Sequence, residues 1–168
     1  MPKQMKVQKH NINILGNDTV KLSSLRKFLL NNYSKKVNVS LYFSIKSFFR
    51  VMHNGVDLVI LDGLNEKGWS PEKQSELLKS IKVRFPETEV IIHTSNDDVS
   101  VAVESMRSGA KDYIIKDNRS WLRIGLLIDR IVAQPTKALV AEWGVMKFTG
   151  WLLLIFLIVS STAVLVLM

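Results

Sequence analysis

The stretch VIIHTSNDDVSVAVESMRSGAKDYIIK, residues 90–116, changes from a strand pattern to a helix pattern and back. Its first residues are almost continuously apolar, which is typical of a strand buried on both faces. Apolar side chains then recur at helical spacing, with Asp97 and Asp98 as the predicted N-terminal cap and Gly109 at the predicted end of the helix. DYII at residues 112–115 predicts the next strand, so the stretch is a strand–helix–strand unit.

The same alternation extends from this unit toward both ends of the chain. Five apolar runs of strand length are predicted as strands: residues 11–15, 38–43, 57–61, 89–93 and 112–115. Five amphipathic stretches, each following one of these runs, predict helices. Strands and helices that alternate in this way form a parallel sheet covered by helices on both faces. The predicted fold class is therefore α/β, with a five-stranded parallel sheet over residues 10–133.

The composition excludes several classes of protein. The chain has 168 residues, a formal net charge of +8, 47% hydrophobic residues and no cysteine. It is too apolar for a disordered basic tail. Without cysteine it forms no disulfide scaffold, no thiolate zinc site and no cysteine nucleophile.

The charges are unevenly distributed along the chain. Every Lys, Arg, Asp and Glu lies between Lys3 and Lys147, and residues 148–168, FTGWLLLIFLIVSSTAVLVLM, carry none. A helix of this length reaches about 31 Å, close to the thickness of the hydrocarbon core of a bilayer. We therefore expect a transmembrane helix. In it Trp151 lies at the interface, and the small polar residues mark a contact face for another helix. Those residues are Ser160, Ser161 and Thr162.

The basic residues before this segment predict its orientation. Lys137 and Lys147 precede the span, further arginines lie upstream, and no charge follows it. By the positive-inside rule, we expect a single-pass protein of the inner (cytoplasmic) membrane with its N-terminal domain in the cytoplasm. The basic side chains near the membrane would then face anionic lipid headgroups.

Four segments follow from these patterns. They are a basic N-terminal segment, residues 1–9; the α/β domain, 10–133; a juxtamembrane link, 134–147; and the transmembrane helix, 148–168. The link is either a separate amphipathic helix or the first turns of one long helix that continues into the membrane.

Polar residues follow the predicted strands, where ligands of open parallel sheets bind. Asp62 follows the third strand, Thr94 the fourth and Lys116 the fifth. The first strand is followed by Gly16, Asn17 and Asp18.

With these residues in place, the chain resembles the receiver domain of two-component response regulators. The resemblance is most specific over residues 90–116 and includes DLVILD at 57–62. It implies the flavodoxin-like (βα)5 receiver fold plus the predicted C-terminal transmembrane helix. It also implies that Asp62 is the phospho-acceptor, Lys116 the partner of the phosphoryl group, Thr94 the switch hydroxyl and Tyr113 the switch aromatic. The only chemistry implied is self-phosphorylation and autophosphatase activity at Asp62, so we expect no other enzyme activity.

The resemblance also implies a Mg²⁺ site formed by Asp62 and two acids at the end of the first strand. The sequence departs from the family at this site. Gly16 and Asn17 stand where the resemblance implies two acids, and Asp18 comes one residue late. In one interpretation, Asn17 and Asp18 complete a weakened Mg²⁺ site with Asp62, which is still phosphorylated. In the other, Lys116 pairs directly with Asp62 and the domain is a constitutive docking module. We favour the second, because loss of the acids removes much of the binding energy of the metal.

The predicted function is that of a membrane-anchored signalling or adaptor module. Its expected partners are membrane proteins of a larger complex, bound through the transmembrane helix and the receiver surface, and the resemblance also admits a histidine kinase. One alternative is a phosphorylation-switched regulator that uses Asp62 with Mg²⁺. Another is a single-span accessory subunit of a transporter, motor or secretion complex. We expect no nucleic-acid partner, because too few residues follow the fifth helix for a helix-turn-helix. The three histidines, His10, His53 and His93, are interpreted as ordinary surface or core residues.

Overall fold

A computed structural model describes residues 9–53, 55–62, 70–133, 150 and 154–155. The described residues form five strands: β1 (His10–Gly16), β2 (Val37–Tyr42), β3 (Leu58–Asp62), β4 (Glu89–Thr94) and β5 (Asp112–Ile115). They also form five helices before residue 134: α1 (Thr19–Tyr33), α2 (Ile45–Val51), α3 (Pro71–Arg84), α4 (Val99–Arg107) and α5 (Ser120–Ala133).

The strands form one parallel sheet in the order β2-β1-β3-β4-β5. This confirms the predicted α/β class and the five-stranded parallel sheet. The chain runs from β1 to its neighbour on one side and then crosses to β3 on the other side. Since the strand order reverses at this point, the carboxyl ends of β1 and β3 border the crevice where open α/β sheets bind ligands.

Helices cover both faces of the sheet, because successive side chains of each buried strand point to opposite faces. On β3, Leu58 and Ile60 belong to a core cluster that includes Leu25 of α1 and Ile124 of α5. The intervening residues of β3 belong to a second cluster, built with Phe48 of α2 and with α3. The sheet is therefore buried on both sides, as its nearly continuous apolar runs predict.

Helices α1 and α4 are each capped by an aspartate. The carboxylate of Asp18 accepts hydrogen bonds from the backbone N–H groups of Val20 and Lys21, and so caps α1. Asp98 caps α4 in the same way, accepting from the N–H of Ser100, as the sequence predicts. Gly109, predicted to follow α4, has a φ of +102°, a conformation that favours glycine.

The compact unit that contains the sheet ends at Val132. Beyond Ala133 the structure describes only Gly150, Leu154 and Ile155, which are helical. Within the described ranges, no helix has both the length and the apolar character needed to cross a bilayer. The predicted transmembrane residues Trp151, Ser160, Ser161 and Thr162 lie outside the described residues.

Candidate functional site

Asp62 lies at the carboxyl end of β3, in the middle of the sheet. It is paired with Gly16 on β1 and with His93 on β4, and only 2% of its surface is exposed. A carboxylate buried to this degree needs partners for its charge, because desolvation of an isolated charge is costly. The site is therefore defined by the groups around Asp62.

Two side chains engage the carboxylate. Nδ1 of His93 lies within hydrogen-bond distance of Oδ1, so that an N–H on Nδ1 donates to Asp62. Nζ of Lys116 lies 3.5 Å from Oδ2, as an ion pair. Within the part of the chain that the structure describes, neither Nζ nor Oδ2 has a hydrogen-bond partner. Each oxygen of Asp62 thus faces a nitrogen donor of the protein itself.

Thr94 and Tyr113, the two predicted switch residues, meet at the loop that follows β4. The Thr94 hydroxyl accepts from the N–H of Asn96 at 3.1 Å, and the Tyr113 hydroxyl donates to the Asn96 carbonyl at 3.0 Å. Burial raises the pKa of Tyr113, although a hydrogen bond with Thr94 acts in the opposite direction. The backbone N–H of Lys116 donates to the Thr94 carbonyl at 2.7 Å, which connects this loop to the end of β5.

The remaining predicted metal ligands, Asn17 and Asp18, follow β1. Asn17 is exposed, and the carboxylate of Asp18 binds the first N–H groups of α1 and lies 3.4 Å from Nζ of Lys21. Hydrogen bonds from the backbone N–H groups of Lys21 and Val20, together with the Lys21 ammonium, lower the pKa of Asp18. Asp18 therefore has a structural role as a helix cap.

The described side chains do not fit a magnesium site. Mg²⁺ is held by carboxylate oxygens in near-ideal octahedral geometry. Here Asp18 caps a helix, and one oxygen of Asp62 is bound by His93. A Cβ on Gly16 would lie 2.6 Å from the carbonyl oxygen of Asp62, so this backbone has no room for an acid there. Among the described residues, no three carboxylate or imidazole side chains are grouped to hold a metal.

A cleft of about 370 Å³ opens beside the pair of Asp62 and His93. Lys21 and Leu25 line it from α1, Lys116 from the loop after β5, and Trp121 from α5. The cleft lies on the face of the sheet covered by α1 and α5, the side to which Asp62 and His93 point. It places the Asp62 carboxylate, two lysines and an aromatic ring around one space.

The structure gives His93, interpreted from the sequence as an ordinary surface or core residue, a specific partner in Asp62. His93 is the only described histidine beside Asp62, because β3 and β4 are paired in a register that sets these two residues opposite each other. Asp62 is two residues beyond Ile60, and His93 is two residues beyond Ile91, so both point to the same face. The sequence contained this signal, but its use required the register of the two strands.

Comparisons with known proteins identify the fold. No family model and no curated protein matches the chain. Among solved structures, a response regulator from Thermotoga maritima superimposes with a TM-score of 0.61 at 21% identity, covering 76% of this chain and all of that one. A CheY-like receiver domain from Methanospirillum hungatei JF-1 gives 0.61 at 19% identity, covering 74% and 94%. A pilus assembly protein (cpaE) from Burkholderia thailandensis gives 0.59 at 14% identity, covering 74% and 99%.

The α/β domain therefore has the fold of response regulator receiver domains. The match spans nearly the full length of each of these three structures and leaves about a quarter of this chain outside it. At these identities the likeness shows the fold alone, and the function has to be argued from the site.

Proposed function

We propose that this protein is an atypical receiver-like module that acts as a signalling or adaptor surface without phosphorylation of Asp62. The observation that carries the proposal is the engagement of both oxygens of Asp62, by His93 at one and Lys116 at the other. In this proposal the charge of the buried carboxylate is compensated by the protein itself, and the domain keeps one conformation.

Phosphoryl transfer to a carboxylate sets demands that this site meets poorly. The attacking oxygen must approach the phosphorus in line, and cations must neutralise the charge that develops on the phosphoryl oxygens. Lys116 is available as one cation, but it lies beside Oδ2, and Oδ1 accepts from His93. Among the described residues, no group of three carboxylate or imidazole side chains supplies a site for a second cation.

The helices next to β5 supply a surface that suits a docking role. α4 exposes Val99, Val103 and Met106, and α5 exposes Leu122 and Leu126. Large apolar side chains exposed along a helix are typical of protein interaction sites. We propose that this surface binds membrane proteins of a larger complex, and that residues 148–168 hold the domain on the cytoplasmic face of the membrane.

The proposal is tested by offering the full-length chain a phosphoryl donor. The protein is incubated with acetyl phosphate and Mg²⁺ and analysed by mass spectrometry, with Asp62→Asn as the control. We expect no phosphoryl adduct on either chain. An adduct on the unaltered chain that Asp62→Asn abolishes would overturn the proposal, and would favour the alternative of a phosphorylation-switched regulator that uses Asp62 with Mg²⁺ and a histidine kinase.

A second candidate is a single-span accessory subunit of a transporter, motor or secretion complex. The charge-free segment and the likeness in fold to a protein described as a pilus assembly protein favour it. Replacing residues 148–168 with an unrelated hydrophobic helix separates the candidates. An adaptor should keep its partners after the exchange, as recovered by cross-linking in membranes, whereas a subunit that acts through its helix should lose them.

A further inference from the structure

We propose that His93 takes the place of the metal ion at this site, by supplying Asp62 with an N–H donor where a receiver of this fold would place a divalent cation. His93 is a positioning residue in this proposal, because it acts through Asp62. The inference rests on the proposed function, and it adds that His93 is the residue that prevents a metal ion from binding at Asp62.

The first step of the argument is the geometry of the two strands. Asp62 and His93 are direct partners in the parallel register of β3 and β4, and both point toward α1 and α5. His93 is 4% exposed, so its ring is fixed within the wall of the cleft. A side chain held in this way keeps its donor at the carboxylate without the entropy cost of ordering a flexible group.

The second step is the balance of donors around the imidazole. Nδ1 is directed at Oδ1 of Asp62, whereas Nε2 is buried without a hydrogen-bond partner in the described part of the chain. Among the described groups, Asp62 is therefore the polar partner that orients the ring. The orientation is explained by the carboxylate of Asp62, which is almost fully buried and gains a hydrogen-bond donor from the ring.

The third step is electrostatic. A cation at Oδ1 would have to displace the imidazole and would also lie near the ammonium of Lys116, whose Nζ is 3.5 Å from Oδ2. Like charges at such distances repel strongly in a buried site. With His93 and Lys116 both in place, the carboxylate already has a hydrogen-bond donor at Oδ1 and an ion-pair partner at Oδ2, and a metal ion gains little by binding there.

The experiment measures binding of Mn²⁺, used as a paramagnetic probe in place of Mg²⁺, to the full-length chain by electron paramagnetic resonance. Asn17→Asp restores one acid at a position where the resemblance implies one. We compare the unaltered chain with Asn17→Asp, His93→Val and the double variant, each shown to be folded by circular dichroism. His93→Ala replaces His93→Val if that chain does not fold.

If His93 excludes the metal, Asn17→Asp alone should gain little affinity, whereas the double variant should bind Mn²⁺ at least about tenfold more tightly, the scale of effect known for residues that orient metal ligands. His93→Asn, which keeps an N–H near the position of Nδ1, should keep the metal out when combined with Asn17→Asp. A merely structural role of His93 would not produce this difference between Val and Asn.

The matched control is His10→Val in the Asn17→Asp chain. His10 is also a buried histidine near a carboxylate, with Nδ1 3.4 Å from Asp57, but it lies at the opposite edge of the sheet. It should leave Mn²⁺ affinity unchanged. Equal affinity of the Asn17→Asp chain and the double variant would overturn the inference. Phosphorylation of Asp62 in the unaltered chain would overturn the proposed function instead, so the two failures are distinguishable.

Discussion

Gly16 lies beside Asp62 in the sheet so closely that a Cβ on Gly16 would stand 2.6 Å from the Asp62 carbonyl oxygen. The same Cβ would lie 2.8 Å from Cδ1 of Leu22, a fully buried residue of α1. Contacts of this length require the backbone of β3 or the helix to move. Gly16 thus lets the end of β1 pack closely on β3, at the position where the resemblance implies an acid.

We therefore predict that Gly16→Ala destabilises the protein by about 1–3 kcal/mol, the usual cost of overpacking a tight site. Urea unfolding of the full-length chain measures the loss. Gly150→Ala is the control, because a Cβ there meets nothing within 4 Å, and it should change the free energy of unfolding by less than about 1 kcal/mol. A Gly16→Ala chain as stable as the control would contradict the close packing of β1 on β3.

One experiment can distinguish a role of Asp18 as a helix cap from a role as a metal ligand. The pKa of Asp18 is lowered, mainly by the hydrogen bond from the backbone N–H of Lys21, with the Lys21 ammonium and then the N–H of Val20 adding to the effect. A lowered pKa in the folded state means that Asp18 stabilises the fold above the ordinary aspartate pKa, near 3.9, and that this contribution is lost as the pH falls through the folded value. Asp18→Asn keeps a capping oxygen but removes the charge.

The expected result is a higher urea midpoint for the unaltered chain than for Asp18→Asn at pH 7, with the gap closing toward about pH 3. Asp18→Ala, which removes the cap itself, should have a lower midpoint than Asp18→Asn at both pH values. Addition of Mg²⁺ should change none of these midpoints. A midpoint that rises with Mg²⁺ only when Asp18 is present would identify Asp18 as a metal ligand.

The strands could be predicted closely from the sequence, because each is a short and nearly continuous apolar run. The predicted run 112–115 has the same bounds as β5. The other four strands differ from the prediction by one residue, β4 at one end and β1, β2 and β3 at both ends. Burial on both faces leaves little freedom in such runs, so local composition determines where they begin and end. The cap at Asp98 and the turn at Gly109 were predictable for a similar reason, since each depends on one residue type in a local conformation.

The pairing of Asp62 with His93 could not be predicted in the same way. The two residues are 31 positions apart, and their contact depends on strand order and on the register of β3 with β4. Shifting this register by one residue would turn one of the two side chains to the opposite face. Asp18 shows that closeness in sequence can also mislead. It lies one residue after the positions where the resemblance implies acids, which suggested a metal ligand, but in the structure its carboxylate caps α1.

Tyr113 and Tyr33 should both ionise above the ordinary tyrosine pKa of about 10. Burial raises the pKa of each, and a hydrogen bond with Asp129 adds to the effect at Tyr33. Because the folded values are raised, both residues stabilise the fold fully below the unfolded pKa, and this contribution is lost as the pH rises through the folded values.

An ultraviolet titration of tyrosinate tests this. In the titration curve of the folded chain, each of the variants Tyr113→Phe and Tyr33→Phe should lack one tyrosine that ionises above the ordinary pKa of about 10. Tyr113→Phe should also cost about 0.5–1.5 kcal/mol, since the bond from its hydroxyl to the Asn96 carbonyl is lost. If Tyr113→Phe removes an early-titrating group instead, the hydroxyl is not buried against the loop after β4.

The ion pair between Lys116 and Asp62 should contribute more to stability than the exposed pairs of the same fold. Asp62 is buried, so Lys116→Met leaves its charge with His93 alone and should cost about 3 kcal/mol. Lys111→Met is the matched control. Nζ of Lys111 lies 3.3 Å from Glu89 in an exposed pair, and its loss should cost less than about 1 kcal/mol.

A double variant separates the pair from the packing of the lysine stem. Asp62→Asn combined with Lys116→Met removes both charges and leaves an amide that can still accept from His93, so it should be more stable than Lys116→Met alone. Urea unfolding of the four chains gives the coupling between the two residues. If the losses in free energy of unfolding of the two single variants add up to the loss of the double variant, Lys116 does not balance the charge of Asp62. The carboxylate would then depend on His93 alone, and the constitutive conformation proposed for the module would lose one of its two supports.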